Sequence, residues 1–263
     1  MHSFTPLHRG GSGPPLLCLH GIVDTWRTWE LVLPALERSH DVLAPTLPGH
    51  AGGPPLGSEG FDDVLVDPIE SALDDAGFTT AHMVGNSLGG YIALKLAARG
   101  RAESVVALAP AGGRVEDGPS DQELVERFLA MQEQAKKSVP HVDEIVSTVE
   151  GRRAVTQFTT SRFEHIPAEL LAHQVAGLAR CDLVGTLRAL GAGWNVEPEK
   201  IECPVRVVWG ADDRVLPWPS AAARYREEWL PHADWIELEG VGHCPQLDVP
   251  TETAALVLEF TAR

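Results

Sequence analysis

The chain has 263 residues, a length that fits one α/β domain or two small ones. Hydrophobic residues make up 44% and charged residues 22%, so the composition is that of an ordinary globular protein and excludes disorder as the main state. The net charge of −16 repels phosphate backbones and anionic lipid, and we therefore expect neither nucleic acid nor a membrane as a partner.

Short apolar runs alternate with longer segments of helical period along most of the chain. Parallel strands that helices cover on both faces are continuous apolar runs, so each short run predicts a buried strand. The predicted strands are residues 16–19, 41–44, 81–84, 104–109, 205–209 and 235–238. The helices predicted between and after them are residues 26–38, 61–76, a helix that starts at residue 88, and residues 219–229 and 251–261.

The alternation stops between residues 112 and 198, where only helical segments are visible. Ser120 and Glu123 form a capping box that predicts the start of the first of these helices. Three more helices are predicted at residues 142–149, 167–179 and 183–190. Because strands resume afterwards, we interpret residues 112–198 as a helical cap inserted into an α/β core of residues 1–111 and 199–263. The alternative is a second independent domain.

The most informative segment is Gly85-Asn86-Ser87-Leu88-Gly89, a G-x-S-x-G sequence placed where a predicted strand ends and a helix begins. A serine at such a sharp turn points its hydroxyl out above the sheet, and glycines are needed where a Cβ would clash. We therefore predict that Ser87 is a nucleophile and that the Leu88 N–H, at the start of the helix, donates to an oxyanion. The alternative is a glycine-serine turn without chemistry, whereas the spacing excludes phosphate and dinucleotide loops.

A second motif, His20-Gly21-Ile22, follows the first predicted strand. Together with the G-x-S-x-G turn, it resembles the α/β-hydrolase superfamily over nearly the whole chain. The resemblance implies an α/β-hydrolase fold, with a mostly parallel central sheet flanked by helices and a helical cap. It also implies that the Ile22 N–H is a second oxyanion donor and that His20 holds its loop by hydrogen bonds. Thr46 departs from the family, because many relatives carry aspartate there, and we expect the first of the usual eight strands to be absent.

The acid and the base of a catalytic triad are expected after the last two predicted strands, in the chain order serine, acid, histidine. Members of the family read G-x-x-D-x-x-x-P after the late strand. The matching segment from Gly210 to Pro217 selects Asp213, with Asp212 as the alternative. The glycine-rich loop after the last strand presents His243. The resemblance thus implies that His243 is the general base and that Asp213 orients it.

These residues predict a serine hydrolase, first of all a carboxylesterase, that cleaves a carboxylic ester or a related acyl bond. A carbon–carbon bond hydrolase or a lactonase would use the same triad, and an acyltransferase or a non-catalytic ligand receptor are further alternatives. The serine at the turn excludes the dehalogenases and epoxide hydrolases of this superfamily, because they use aspartate there. The predicted mechanism needs no metal and no organic cofactor.

The walls of the substrate pocket are expected from the helical insertion and from the loop after the first predicted strand. Candidates are Trp26, Phe128, Met131, Phe158 and Phe163, and the alternative is that each belongs to the plain core. Their apolar character favours a small-molecule substrate with an apolar acyl or aromatic group. The N-terminal residues lack the charged segment and apolar run of a signal peptide, so we expect a cytoplasmic protein.

Overall fold

The computed structural model describes residues 3–57, 60–114, 121–191 and 193–262, and Ser120 of the predicted capping box lies outside them. The described residues form one sheet with the strands β1 (Leu7–Gly11), β2 (Pro15–Leu19), β3 (Asp41–Pro45), β4 (Ala81–Asn86), β5 (Ala102–Leu108), β6 (Val205–Gly210) and β7 (Asp234–Leu238). The strand order is β1-β3-β2-β4-β5-β6-β7. Strand β1 runs antiparallel to β3, and the other pairings are parallel. The predicted mostly parallel sheet is confirmed.

The six predicted strands are confirmed as β2 to β7, with ends that differ by at most two residues. Strand β1 has no predicted counterpart. Its sequence contains no apolar run and ends in two glycines, and its place at the edge of the sheet gives it one neighbouring strand instead of two. The sheet of the described residues thus has seven strands, one fewer than the eight that are usual in the family of the resemblance.

The α-helices of the described residues are α1 (Leu33–Leu36), α2 (Asp67–Asp75), α3 (Leu88–Ala98), α4 (Asp121–Ser138), α5 (Val142–Val146), α6 (Val149–Thr156), α7 (Ala168–Arg180), α8 (Leu183–Leu190), α9 (Pro245–Asp248) and α10 (Pro250–Thr261). In this part of the chain, no helix has both the length and the apolar character needed to cross a membrane.

Two helix predictions are wrong. Residues 26–38 form a 3-10 turn at Trp26–Trp29 followed by the short α1, because Pro34 has no N–H with which to continue a helix from the preceding turn. Residues 219–229 form a 3-10 turn and then a π-helical turn at Tyr225–Trp229 instead of an α-helix.

Helices cover both faces of the sheet. Because alternate residues of a strand point to opposite faces, each strand contributes to two apolar layers. In β2, Leu17 and Leu19 pack in the layer that contains α2 and α3, whereas Leu16 and Cys18 pack against α1 and α10. Burial on both sides explains why the sequence of β2 is a continuous apolar run without polar alternation.

Helices α4 to α8 occupy the described residues between β5 and β6. Leu170 of α7 belongs to an apolar cluster that also takes in Cys244 and Leu247, which follow β7. Phe128 of α4 packs instead in the layer that contains α2 and α3. The insertion therefore packs directly on the α/β core, and the prediction that residues 112–198 form a cap domain stays a prediction.

The carboxyl ends of the parallel strands meet at one edge of the sheet, where α/β proteins bind their ligands. Strand β4 lies between β2 and β5, so the loops after these three strands are neighbours. The loops after β6 and β7 meet as well, since the Asp212 N–H donates to Val241 O at 3.0 Å. This edge collects the loops that carry the predicted site residues Ile22, Ser87, Asp213 and His243.

Candidate active site

The turn between β4 and α3 holds Ser87 in a backbone conformation that L-residues rarely adopt, with φ +54° and ψ −115°. A Cβ on Gly85 would lie 2.2 Å from Gly89 O, and a Cβ on Gly89 would lie 2.2 Å from Leu19 O. The Ser87 N–H donates to Leu108 O at 2.8 Å, which ties the turn to β5. The G-x-S-x-G sequence thus folds into a sharp strand-to-helix turn that needs both of its glycines.

Backbone strain is concentrated at the same edge of the sheet. Among the described residues, the non-glycine residues with positive φ are Val23, Ser87, Ala109 and Glu197. The first three follow the carboxyl ends of β2, β4 and β5, which are adjacent strands. Such conformations cost about 1–3 kcal/mol each and persist where the surrounding structure enforces them, often at functional sites. Their clustering coincides with the edge that carries the predicted site residues.

The loop after β2 (residues 20–25), which we call the β2 loop, is held by His20. The Leu47 N–H donates to His20 Nε2 at 2.8 Å, and His20 Nδ1 donates to Gly21 O at 2.7 Å. Burial, reinforced by the nearby His50 ring, lowers the pKa of His20 well below its usual value. The ring is therefore neutral and its two partners set its tautomer. His20 holds the loop by hydrogen bonds, as the resemblance implied.

The loops after β6 and β7 pair Asp213 with His243. The Nδ1–H of His243 donates to Asp213 Oδ2 at 2.7 Å, and the Asp213 side chain is fully buried. The other carboxylate oxygen accepts the N–H groups of Val215 and Leu216, both at 2.8 Å. Three donors hold the carboxylate in one orientation, and the second ring nitrogen of His243 is left to act as an acceptor. Asp212, the alternative acid, is exposed to solvent.

A buried hydrogen-bond network links the Ser87 turn to the other loops. Asn86 Nδ2 donates to His243 O at 2.9 Å, and Asn86 Oδ1 accepts from Gln246 Nε2 at 3.2 Å. Gln246 Nε2 also lies 3.2 Å from Thr28 Oγ1, and the Thr28 hydroxyl bonds to the carboxyl group of Asp24. One set of polar side chains therefore joins the Ser87 turn, the His243 loop and the β2 loop.

Asp248 connects the loop that carries His243 to the helical insertion. Its Oδ2 accepts the Gly242 N–H at 2.5 Å, and its Oδ1 accepts the N–H groups of Ser161 and Arg162, both at 2.8 Å. Burial raises the pKa of Asp248 above its usual value, although the three N–H donors oppose the shift. The carboxylate thus ties the His243 loop to the segment between α6 and α7.

Helix α7 is hydrogen bonded to the chain around the β2 loop. Gln174 Nε2 donates to Asp24 Oδ2 at 3.0 Å, and Thr25 Oγ1 lies 3.0 Å from His173 Nε2. The Arg27 guanidinium lies 3.4 Å from the other ring nitrogen of His173. Burial raises the pKa of Asp24 above its usual value. Helix α7 therefore braces the loop that presents the predicted oxyanion donor.

The cavity at this edge of the sheet has two arms. Both arms are lined by Ile22, Ser87, Phe128 and Val215. One arm, which we call the His243 arm, has a volume of about 770 Å³ including space open to solvent, and His243 and Gln174 also line it. The other, the Trp194 arm, has a volume of about 720 Å³ measured in the same way, and Leu88 and Trp194 line it. Ser87 lies where the two arms meet.

The structure brings two of the predicted pocket residues to this cavity. Phe128 lines both arms, and Met131 lines the His243 arm. Trp26 instead stacks on a histidine ring of β1. Phe158 and Phe163 pack with the apolar clusters of the core and of the insertion.

Other residues that complete the site lie outside the predicted set. Leu187 and Leu190 are three positions apart on α8 and both line the Trp194 arm, a spacing that is visible in the sequence as an apolar stripe. No local pattern marks Asn86 or Asp248, because partners that give them a role lie far away in the chain. Within the described ranges, no group of three His, Cys, Asp or Glu side chains is arranged to hold a metal ion.

Comparison with known proteins agrees with this geometry. The profile of the alpha/beta hydrolase family matches residues 16–256. The chain belongs to this family. This alpha/beta hydrolase is 33% identical over 209 residues to epoxide hydrolase EphH of Mycobacterium tuberculosis, an alignment that covers 75% of this chain and 93% of that protein.

Two further comparisons show how varied the relatives of this alpha/beta hydrolase are. It is 30% identical over 271 residues to the pimeloyl-[acyl-carrier protein] methyl ester esterase of Aromatoleum aromaticum, covering 93% of this chain and 96% of that protein. The solved structure of 2-hydroxy-6-oxo-6-phenylhexa-2,4-dienoate hydrolase from Rhodococcus sp. strain RHA1 has a TM-score of 0.77 at 19% identity, covering 98% of this chain and 97% of that one. The shared fold does not decide which bond is cleaved.

Proposed function

We propose that the protein is a serine hydrolase that cleaves a carboxylic ester or a related acyl bond through an acyl-enzyme on Ser87. In this proposal His243 is the general base, Asp213 orients it, and the N–H groups of Ile22 and Leu88 stabilise the oxyanion. The observation that carries the proposal is the 2.7 Å hydrogen bond from His243 Nδ1 to Asp213 Oδ2, beside a cavity that Ser87 and His243 both line.

The reaction proceeds in two steps. First, Ser87 Oγ forms a bond to the carbonyl carbon while His243 Nε2 takes the hydroxyl proton, and that proton passes to the leaving alcohol as its C–O bond breaks. Second, His243 takes a proton from water, the resulting hydroxide attacks the acyl-enzyme, and the proton returns to Ser87 Oγ as the carboxylic acid leaves. Each oxyanion donor contributes about 3–4 kcal/mol of transition-state stabilisation.

The position of Leu88 supports its role as an oxyanion donor. It is the first residue of α3 and directly follows Ser87. The first N–H groups of a helix have no acceptor within the helix, and the helix dipole adds partial positive charge there. Leu88 lines the Trp194 arm and Ile22 lines both arms, so the two proposed donors lie on the walls next to Ser87.

The relative named epoxide hydrolase suggests a second reaction, the opening of an epoxide ring. Ester cleavage fits the site of this chain better, because a serine that opened an epoxide would form an ether that water does not cleave, whereas its attack on an ester gives an acyl-enzyme that water can release. The residue at the turn is also a serine, which attacks with the help of a base such as His243. Carbon–carbon bond hydrolases and lactonases would use the same three side chains, so the test includes their substrates.

Hydrolysis of p-nitrophenyl butyrate tests the proposal. We expect the purified protein to hydrolyse this ester, and Ser87→Ala to lower kcat by about 10⁴-fold to 10⁶-fold because the nucleophile is lost. Asp213→Asn is expected to lower kcat by up to about 10⁴-fold, since the imidazole loses the partner that sets its tautomer. Its matched control is Asp212→Asn, a change at the exposed neighbour, which is expected to leave kcat at the wild-type value.

Covalent labelling identifies the nucleophile in the same preparations. A fluorophosphonate is expected to label Ser87 in the wild type and to label His243→Ala far more slowly, because the serine then lacks its base. Equal ester hydrolysis by wild type and Ser87→Ala, or labelling of a different residue, would contradict the proposal. Hydrolysis of styrene oxide, a vinylogous diketone or a lactone without hydrolysis of any open-chain ester would move the assignment to that reaction.

A further inference from the structure

The two arms of the cavity meet at Ser87, and polar side chains are more numerous in the lining of the His243 arm than in that of the Trp194 arm. Building on the proposed function, we infer that the Trp194 arm holds the acyl group of the substrate and that the His243 arm holds its leaving group. The substrate class is then an ester whose acid part is apolar, with an alkyl chain or an aromatic ring that fills the Trp194 arm.

Apolar side chains line the Trp194 arm. Among the described residues that line this arm, the polar side-chain groups are the Ser87 hydroxyl and the Trp194 indole N–H, and none of the side chains is charged. Leu124 from α4 and Leu187 from α8 are half-buried, so they expose apolar surface that an acyl chain can cover. The Trp194 ring is fixed by an edge-on contact with Tyr91, at a ring distance of 4.7 Å. An apolar group in this arm therefore removes mostly carbon surface from water, which is favourable.

The His243 arm contains the polar groups that the Trp194 arm lacks. Asp24, Gln174 and Thr159 all line it. A long alkyl chain in this arm would contact these polar side chains without offering them a hydrogen bond, which is less favourable than contact with carbon. The alcohol portion of an ester, which carries oxygen, fits these surroundings better than a long acyl chain does.

The direction of proton transfer points to the same assignment. The general acid must lie on the side of the leaving oxygen, because it protonates that atom as the bond breaks. His243 lines one arm only, together with Cys244 and Leu247, which follow it in the chain. The lining of the Trp194 arm includes Leu88 and does not include His243. A substrate with its carbonyl carbon at Ser87 therefore points its alcohol into the His243 arm.

Two series of esters separate the arms. The acyl series keeps the leaving group constant: p-nitrophenyl acetate, butyrate, hexanoate and octanoate. The alcohol series keeps the acid constant: methyl, butyl and benzyl butyrate, followed by acid release at constant pH. In the wild type we expect kcat/KM to rise by about fourfold for each methylene added to the acid until the arm is full, the factor that corresponds to about 0.8 kcal/mol per buried methylene.

Two matched tryptophan substitutions block one arm each. Leu187 on α8 lines the Trp194 arm, and Leu178 on α7 lines the His243 arm; both are half-buried leucines. Leu187→Trp is expected to lower the octanoate-to-acetate ratio of kcat/KM by about tenfold and to change the benzyl-to-methyl ratio by less than about twofold. Leu178→Trp is expected to do the reverse.

The outcomes distinguish this inference from the proposed function. If Ser87-dependent ester hydrolysis is present but Leu187→Trp changes the alcohol ratio and Leu178→Trp the acyl ratio, the arms are assigned the wrong way round. If Ser87-dependent hydrolysis is present but its kcat/KM falls with each methylene added to the acid, the inference that the acid part of the substrate is apolar is wrong. If no ester is hydrolysed in a Ser87-dependent way, the proposed function itself fails.

Discussion

His243 is held through its backbone as well as through its ring. Asp213 accepts from the ring, Asn86 donates to the His243 carbonyl group, and Asp248 accepts the N–H of the residue before it. A buried N–H that loses its acceptor costs about 1–3 kcal/mol, so the histidine loop is expected to shift if Asp248 is changed. Asp248 is absent from the lining of both arms. In the proposed mechanism it would act through His243, as a positioning residue.

Asp248→Asn tests this role. The amide oxygen still accepts from Ser161 and Arg162, but the amide NH₂ then faces the N–H of Gly242, and one hydrogen bond is lost. We expect kcat on p-nitrophenyl butyrate to fall by about tenfold, equivalent to about 1.4 kcal/mol, with KM nearly unchanged. A lower melting temperature with unchanged kcat would show that Asp248 is merely structural.

Among the helices, α7 makes the most direct connection between the insertion and the chemistry. It contacts the β2 loop through two hydrogen-bonded pairs, Gln174 with Asp24 and His173 with Thr25. His173 and Thr25 are almost completely buried, so water does not compete for their hydrogen bond. The position of the β2 loop, and with it that of the Ile22 N–H, therefore depends on α7.

A double-mutant cycle measures the coupling between Thr25 of the β2 loop and His173 of α7. Thr25→Val and His173→Ala are each expected to lower the free energy of unfolding by about 1–3 kcal/mol, because each leaves a buried polar partner without its hydrogen bond. The double variant is expected to lose about 1 kcal/mol less than the sum of the single changes. Urea unfolding of the four proteins gives the coupling energy. The control is Val184→Ala on the exposed face of α8, expected within about 0.5 kcal/mol of wild type. If the losses of unfolding free energy in the two single variants added up to the loss in the double variant, Thr25 and His173 would not be coupled and the support of the β2 loop by α7 would be contradicted.

Elements with a strong local signal could be predicted from the sequence, and elements defined by their partners could not. Strands β2 to β7 are apolar runs, whereas β1 owes its state to pairing with β3 at the sheet edge. Residues 26–38 have helical period but contain a proline that divides them. Ser87 and His243 lie in glycine-rich motifs, so their positions were predictable, and their catalytic roles stay predictions. Asp248 and His173 receive their roles from contacts that only the fold creates.

The whole molecule has a pH dependence of stability set partly by buried histidines. The His20 and His50 rings lie 5.0 Å apart in the core. Burial lowers the pKa of His50 to about 4, and that of His20 is also well below its usual value. Unfolded histidine has a pKa of about 6.5, so below that pH the unfolded chain binds protons that the folded protein does not. These two histidines therefore make stability fall as the pH falls from about 6.5 toward about 4.

His50→Asn isolates one of these contributions. From its folded and unfolded pKa values, His50 alone is expected to remove about 2 kcal/mol from the free energy of unfolding between about pH 7 and about pH 5. We therefore expect the free energy of unfolding of His50→Asn to fall by about 2 kcal/mol less than that of the wild type between about pH 7 and about pH 5. The raised pKa values of Asp24 and Asp248 act in the opposite direction at lower pH, but they are common to both proteins. Urea unfolding at the two pH values measures the difference, with the exposed His232→Asn as control. If the free energy of unfolding fell equally in the wild type and in His50→Asn between the two pH values, the contribution assigned to His50 would be refuted.

Helix α4 contributes to both arms, but α7 lines only one of them and α8 only the other. Gln174 and Leu178 on α7 line one arm, while Leu187 and Leu190 on α8 line the other. A substitution on either helix can therefore alter the recognition of one half of a substrate while the other half and the reaction stay as they were. Under the proposed assignment of the arms, evolution could change the acid and the alcohol that such proteins accept independently of each other.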